Sequence, residues 1–339
     1  MPRTLTVREL NRAVLARQGL LERRALELPD ALDAMGALQA QYAPSMYVGL
    51  WSRVAGFERD ALTRALEARE VVQGTLMRST IHLVSRADYW PLAVAVGPAR
   101  RASLRRSVKE LHEPEMEAAA ERLRAALAAG PLRRTEIEAL LGKLAARYVG
   151  LWLDLVRVPP SGTWERRRAD LYGLAADWIG PCDVTCADAL DALVRRYLTG
   201  FGPAAKPEIA NWAGMAVRDL EPALRRLELR AFEAEDGTEL LDLPGAPLPG
   251  GEVEAPVRFL PTWDATLLVH ARRALILPEE LRPRIFNAKM PQSVGTFLVD
   301  GAVAGIWRFD GTVEPLAPLS AAQRRAVDAE AARLADFCR

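Results

Sequence analysis

The chain has 339 residues, too many for one small hydrophobic core, so two or three domains are expected. Half of them are hydrophobic and 26% are charged, an ordinary balance for a folded soluble protein. The 45 basic and 44 acidic residues leave a net charge of +1, which excludes a tail-like polybasic binder. No apolar run approaches the ~18 residues of a membrane span.

Three cysteines are too few for a disulfide framework. Cys182 and Cys186 lack the second pair or nearby histidine that a zinc site needs, so buried thiols are expected. With His82, His112 and His270 the only histidines, neither a metal nor a cofactor is expected. The opening "MPRTLTVRELNR" has no apolar signal region, and a cytoplasmic, nucleoid-associated protein is the expectation.

Thr6 and Glu9 form a capping box before a first helix that stops near Gly19. A second helix opens at "PDALDAMGALQAQ" and must end before Pro44. "SMYVGLWSRV" and "ERDALTRALEAR" read as two more helices, and "EVVQGTLM" and "STIHLVS" as a β-hairpin. Ser85 and Asp88 cap a long helix running through the arginine-rich stretch 99–109. "AALAAGPLRRTEIEALLG" then gives a helix, a Gly-Pro break and a helix capped by Thr135 with Glu138. "LDLVRVPPSGTWERRRADLYGLA" reads as strand, turn and return strand. A third copy of the pattern opens with "GFGPAAKPEIANW" and ends in a hairpin turning at Asp236-Gly237. After a Pro/Gly-rich linker come short β-like runs, turning at Asp300-Gly301, and an Ala-rich terminal helix.

Helices followed by a two-stranded hairpin are the plan of a winged-helix module. The expected fold is mainly α with β wings (α+β), as three tandem winged-helix motifs before a small C-terminal β-domain. The first motif spans 1–95; 96–180 hold a helical linker and the second motif. The third spans 181–245, and 246–339 form the C-terminal domain with its terminal helix. Such modules dock on duplex DNA with arginines on phosphates. Arg78 at the first hairpin turn is a candidate for this, as are Arg166, Arg167 and Arg168 on the second. Alternation along the first hairpin sends His82 away from the core, toward DNA. Tyr42 and Trp51 are expected in the core, and Asp264 is expected to cap a helix.

The segments "ALQAQYAPSMYVGLW", "LMRSTIHLVSRADYW", "VRVPPSGTWERRRADLYGLA", "YLTGFGPA…EIANWAGM" and "FLPTWDATLLVHARR…LPEE" resemble, in order, bacterial winged-helix DNA glycosylases of the AlkZ and YcaQ type. The resemblance implies a C-shaped stack of three winged-helix motifs and a C-terminal β-barrel. It also implies excision of N7-alkylguanines from double-stranded DNA, including bulky adducts and interstrand crosslinks in some members, by a monomer. The family's catalytic element is Q-x-Q or Q-x-D, and Gln39-Ala40-Gln41 has the Q-x-Q form, as in the branch that protects producers of DNA-alkylating compounds.

Two amides suit such a substrate. An N7-alkylated guanine is cationic and leaves as a neutral base, so no strong acid is required. A glutamine oxygen accepts from water and its nitrogen donates, but it is a weak base. On a regular helix, residues two apart point to nearly opposite sides, so both can address one water only where the helix ends. The alternative function is a non-catalytic winged-helix transcription regulator. A lyase using Pro2 as an N-terminal nucleophile is a further rival, but that chemistry belongs to an unrelated fold.

Overall fold

The computed structural model describes residues 2–268, 273–286 and 294–339. His270 and Lys289 lie outside these residues, as does part of the segment "VHARR". The first group of elements is β1 (Arg3–Leu5), helices Val7–Arg17, Leu28–Met35, Ala43–Arg53 and Arg59–Glu67, and strands β2 (Leu38–Gln39), β3 (Val71–Thr75) and β4 (Ile81–Ser85). The Thr6–Glu9 capping box forms as expected. Ser85 accepts from the Asp88 amide and starts the helix Arg86–Ser107.

The second group contains helices Glu113–Leu127, Arg134–Leu141 and Lys143–Tyr148, with β5 (Leu132–Arg133), β6 (Leu155–Arg157) and β7 (Leu171–Leu174). The expected Thr135 cap moves two residues upstream. The Glu136 carboxylate accepts from the Arg133 amide, while Glu138 binds Arg134 instead. Both hairpins belong to one six-stranded sheet, ordered β2-β4-β3-β6-β7-β5. Its joint is β3 against β6, with Gln73 opposite Arg157 and Gly74 opposite Val156. Gly74 is required there because an added Cβ would lie 2.5 Å from the Tyr89 ring.

The third group has helices Cys186–Phe201, Lys206–Ala213 and Val217–Arg226, then β8 (Arg230–Ala234) and β9 (Glu239–Asp242). β1 adds in parallel to β8, so the N-terminal strand joins this distant hairpin. Arg17 fixes the same connection through a buried bidentate pair with Asp242, at 2.7 and 2.8 Å. Removing one partner of such a pair leaves an uncompensated buried charge, typically costing ~3–5 kcal/mol.

The C-terminal part is β10 (Arg258–Leu260), β11 (Gly295–Val299), β12 (Ala302–Trp307), β13 (Val313–Pro315) and helix Ala321–Cys338. Among the described residues these strands form an open four-stranded sheet, not the closed barrel expected. Asp264 does cap a short helix, accepting from the Thr266 amide at 3.0 Å, and it also holds buried Arg53 at 2.8 and 2.9 Å. Phe259, Phe297 and Trp307 share a core with Met46, Tyr47 and Leu50 of the first group and Trp164 of the second hairpin's loop. Burial of these aromatic faces is what draws three distant segments together around residue 42. Trp51 is half-buried and packs on Phe337.

Cys182 and Cys186 are exposed rather than buried, because they flank the exposed entry to the helix Cys186–Phe201. No group of potential metal ligands occurs among the described residues. No helix there is long and apolar enough to cross a membrane.

Candidate active site

The segment Gln39-Ala40-Gln41 is not the helix end that the sequence suggested. Gly36, in the left-handed conformation at φ 76°, stops the preceding helix at Met35. The chain then runs as an edge strand, with Leu38 opposite Leu83 and Gln39 opposite His82. The next helix starts at Ala43, and Pro44 sits in its first turn, where its missing N–H is harmless. The strand ends at Gln39, and Gln41 follows in a bend before the next helix. The opposite-side geometry of a regular helix therefore does not apply to this segment.

Each amide oxygen is held. The Ala40 amide donates to the Ile81 carbonyl at 2.7 Å, while the Ile81 amide donates at 2.8 Å to Gln41 Oε1. The Gln41 side chain thus completes the strand ladder where the backbone leaves it. Gln39 Oε1 accepts from Arg78 Nη2 at 3.1 Å. A backbone N–H and a guanidinium can only donate, so these contacts fix which end of each amide is oxygen. Neither Nε2 has a hydrogen-bond partner among the described residues. Gln39 is 7% exposed, whereas Gln41, past the strand end, is exposed.

Arg78 does not extend toward solvent as the sequence suggested. It sits at φ 52°, followed by Ser79 at φ 59°, two consecutive left-handed residues that are not glycine. Arg78 Nη1 donates to the Trp212 carbonyl, and its backbone packs on Gly214, where a Cβ would lie 3.1 Å away. The C-terminal end of helix Lys206–Ala213 therefore covers the hairpin turn. Burial pushes the Arg78 guanidinium down to about 10, still cationic at neutral pH.

His82 is also buried, 2% exposed, in contrast to its expected outward position. It stands opposite Gln39 in the sheet, on a side that is covered, so alternation along the hairpin does not give its exposure. Burial, with Arg78 beside it, pushes the imidazole down to about 3. Its Nδ1 lies 3.0 Å from the Thr80 carbonyl, so Nδ1 carries the proton of a neutral ring. This histidine is not an acid at physiological pH.

Arg166, Arg167 and Arg168 are exposed on the loop between β6 and β7. They line a cavity of about 280 Å³ with Arg133, Pro160 and Ser161. Arg168 pairs with Asp170 at 3.0 Å yet stays 79% exposed. Arg167 Nη1 donates to Tyr42 Oη at 3.1 Å, and Tyr42 also meets the Phe309 ring edge-on at 6.2 Å. Tyr42 is half-buried rather than core, and it is the link that sequence reasoning missed. Its place directly after Gln41 was the available signal. The glutamines, the arginine loop and the C-terminal sheet thus converge.

A family profile described as "DNA glycosylase AlkZ-like" matches residues 32–337. Comparison with curated protein sequences gives no match. Among solved structures, the Streptomyces sahachiroi DNA glycosylase AlkZ superposes with a TM-score of 0.81 at 18% identity, covering 99% of this chain and 97% of that one. At that identity the superposition speaks for a shared fold. The profile spans nearly the whole chain, including the edge strand with its two held glutamines and the arginine loop, and on that ground the chain belongs to the AlkZ-like DNA glycosylase family.

Proposed function

We propose that this chain is a monofunctional DNA glycosylase that hydrolyses the N-glycosidic bond of cationic N7-alkylguanines in duplex DNA, with Gln39 and Gln41 as catalytic residues. The observation that carries the reading is the pair of amide oxygens, each fixed by a hydrogen bond, at the end of strand β2. Each oxygen has a second lone pair for a proton of the attacking water. Held in advance, they orient that water without reorganising during the reaction. The water oxygen bonds to the anomeric carbon, the base leaves with the bonding pair and becomes neutral, and the water's proton passes to solvent.

The two amides differ electrostatically. Arg78 on Gln39 opposes positive charge growing on the sugar, whereas the Ile81 amide on Gln41 is neutral. Gln41 is therefore the better placed to face the sugar cation, and Arg78 is a positioning residue for Gln39. Arg166, Arg167 and Arg168 would grip phosphate as part of a second wing in a C-shaped array of three winged-helix units. A monomer acting in the nucleoid suits this reading, and large natural-product adducts or crosslinks are candidate substrates. Family membership favours it over a non-catalytic regulator.

Single-turnover release from matched duplexes carrying N7-methylguanine or uracil tests the reading. Two amides cannot activate a neutral leaving group, so N7-methylguanine should be released at least ~10²-fold faster, about 2.7 kcal/mol of barrier. Borohydride should trap no protein–DNA adduct, since no described lysine lies near the glutamines in sequence. Comparable rates for both lesions, or trapping that keeps pace with release, would overturn it.

A further inference from the structure

A second cavity, of about 410 Å³, lies where β3 and β6 meet the helix Arg86–Ser107 and the turn after Lys143–Tyr148. Two of its arginines are buried: Arg100 is 8% exposed and Arg157 7%. Arg100 Nη1 donates to the Thr75 carbonyl at 2.8 Å, and its Nε lies 3.4 Å from Ser79 Oγ. Arg157 Nη1 donates to Thr75 Oγ1 at 2.7 Å. Both guanidiniums thus converge on one neutral residue, and neither forms an ion pair among the described residues. Arg157 Nε is buried with no partner there.

Burial, and the proximity of each cation to others, hold both groups below the usual arginine range, Arg100 at about 10. Asp154 offsets part of the charge on Arg100, but two adjacent buried cations facing one carboxylate still leave an excess of positive charge that a ligand anion would neutralise. Arg134 and Arg147 also line the cavity, the first already bound to Glu138. Asp154 is the one carboxylate lining it, and its side chain makes no hydrogen bond among the described residues. The wall includes the half-buried rings of Tyr148 and Tyr172, each with a guanidinium over one face, Arg147 at 5.3 Å and Arg157 at 5.1 Å. Planar guanidiniums match phosphate oxygens, and an aromatic wall is a stacking surface for a nucleobase.

We infer that this cavity is a nucleotide site, in which Arg100 and Arg157 take a phosphate and the tyrosine-lined wall takes the attached nucleoside. Its volume far exceeds a bare phosphate, which is why a phosphate carrying a ring is assigned. Choosing a nucleotide among phosphate carriers rests on the proposed action on DNA; the anion site rests on the arginines alone.

Calorimetric titration of the full chain with deoxyguanosine 5′-monophosphate, inorganic phosphate and deoxyguanosine tests it. The nucleotide should bind, phosphate roughly tenfold or more weakly, and the nucleoside not measurably. Arg157→Gln should weaken the nucleotide by about tenfold or more. Ser103→Asp, at an exposed position on the cavity rim, should also weaken it without disturbing the core, and Asp154→Asn should strengthen it. No nucleotide binding, or equal binding of deoxyguanosine, overturns the site. Unchanged affinity in both Arg157→Gln and Ser103→Asp does the same. Phosphate binding as tightly as the nucleotide overturns the nucleoside part. Wild-type protein that binds the nucleotide but releases no N7-methylguanine would sink the proposed activity and leave this site standing.

Discussion

The turn of the first hairpin and the loop of the second both carry arginines, and both belong to one sheet. Yet Arg78 is enclosed by Gln39, Trp212 and Gly214, whereas Arg166, Arg167 and Arg168 stand in solvent. The hairpins themselves do not make this difference. The end of helix Lys206–Ala213 lies over the first turn, so the Arg78 guanidinium donates to the Trp212 carbonyl and to Gln39 Oε1. One hairpin thereby builds an internally bonded site, and the other presents exposed charge. Local sequence is a poor guide to which, because the deciding contact lies more than 130 residues away (Arg78 to Trp212, |i−j| = 134).

The sharpest way to break this contrast is at the glutamines. Gln39→Ala and Gln41→Ala should each slow base release by about 10²–10³, or ~2.7–4 kcal/mol, as for other preorganised polar groups. Duplex affinity should stay nearly unchanged, and single-turnover rates on an N7-methylguanine duplex measure both. Wild-type rates would return the segment to a simple strand end. Gln41→Asp should be tolerated, since an anion there stabilises the sugar cation and accepts a proton. Next comes Arg78→Met, expected to slow release by about 10–10² through a loosened Gln39. If that is its role, adding Arg78→Met to Gln39→Ala should slow the reaction little further. Additive losses would mean that Arg78 acts independently of Gln39.

The helices, the hairpins and the terminal capping box were readable because their signals are local: period, turn residues and caps. The glutamine segment was misread as helix because its apolar flanks fit either period, and only Gly36 marks the break. His82 shows a different limit. Alternation pointed it away from the core, yet it is buried opposite Gln39, because what covers that face is a tertiary matter. Arg157 was overlooked because an arginine between two valines in "LVRVP" looks like an ordinary outward strand residue, although it is buried on the cavity wall. The open C-terminal sheet depends on long-range strand pairing that short β-like runs do not specify.

The second hairpin supplies the next test. Arg167→Glu or Arg168→Glu should weaken binding to any duplex and reduce its salt slope by about one per lost phosphate contact. Base release at saturating enzyme should change far less than in the glutamine variants. Arg167 carries a further expectation because it donates to Tyr42. Tyr42→Phe removes that hydrogen bond and keeps the ring, so it should leave the salt slope nearly intact. An unchanged slope in both arginine variants would assign the loop to solvent rather than DNA.

The smallest effect concerns His82, on the buried side of the comparison. Its folded pKa, near 3, lies below the ordinary value of 6.5. Between those values the unfolded chain binds a proton that the folded chain refuses, so unfolding free energy rises with pH there. Stability should therefore fall as pH drops below about 6.5, by at most ~1.4 kcal/mol per pH unit from this one group. Base release, in contrast, should show no titration between pH 6 and 8, because the ring stays neutral throughout that range. Denaturant unfolding of the wild type and of His82→Gln at pH 4.5 and 7 isolates the contribution, which should shrink in the variant. A rate profile rising or falling with an apparent pKa near 6.5, abolished in His82→Gln, would mean that the imidazole reaches the reacting groups and that the first hairpin is less enclosed than its contacts imply.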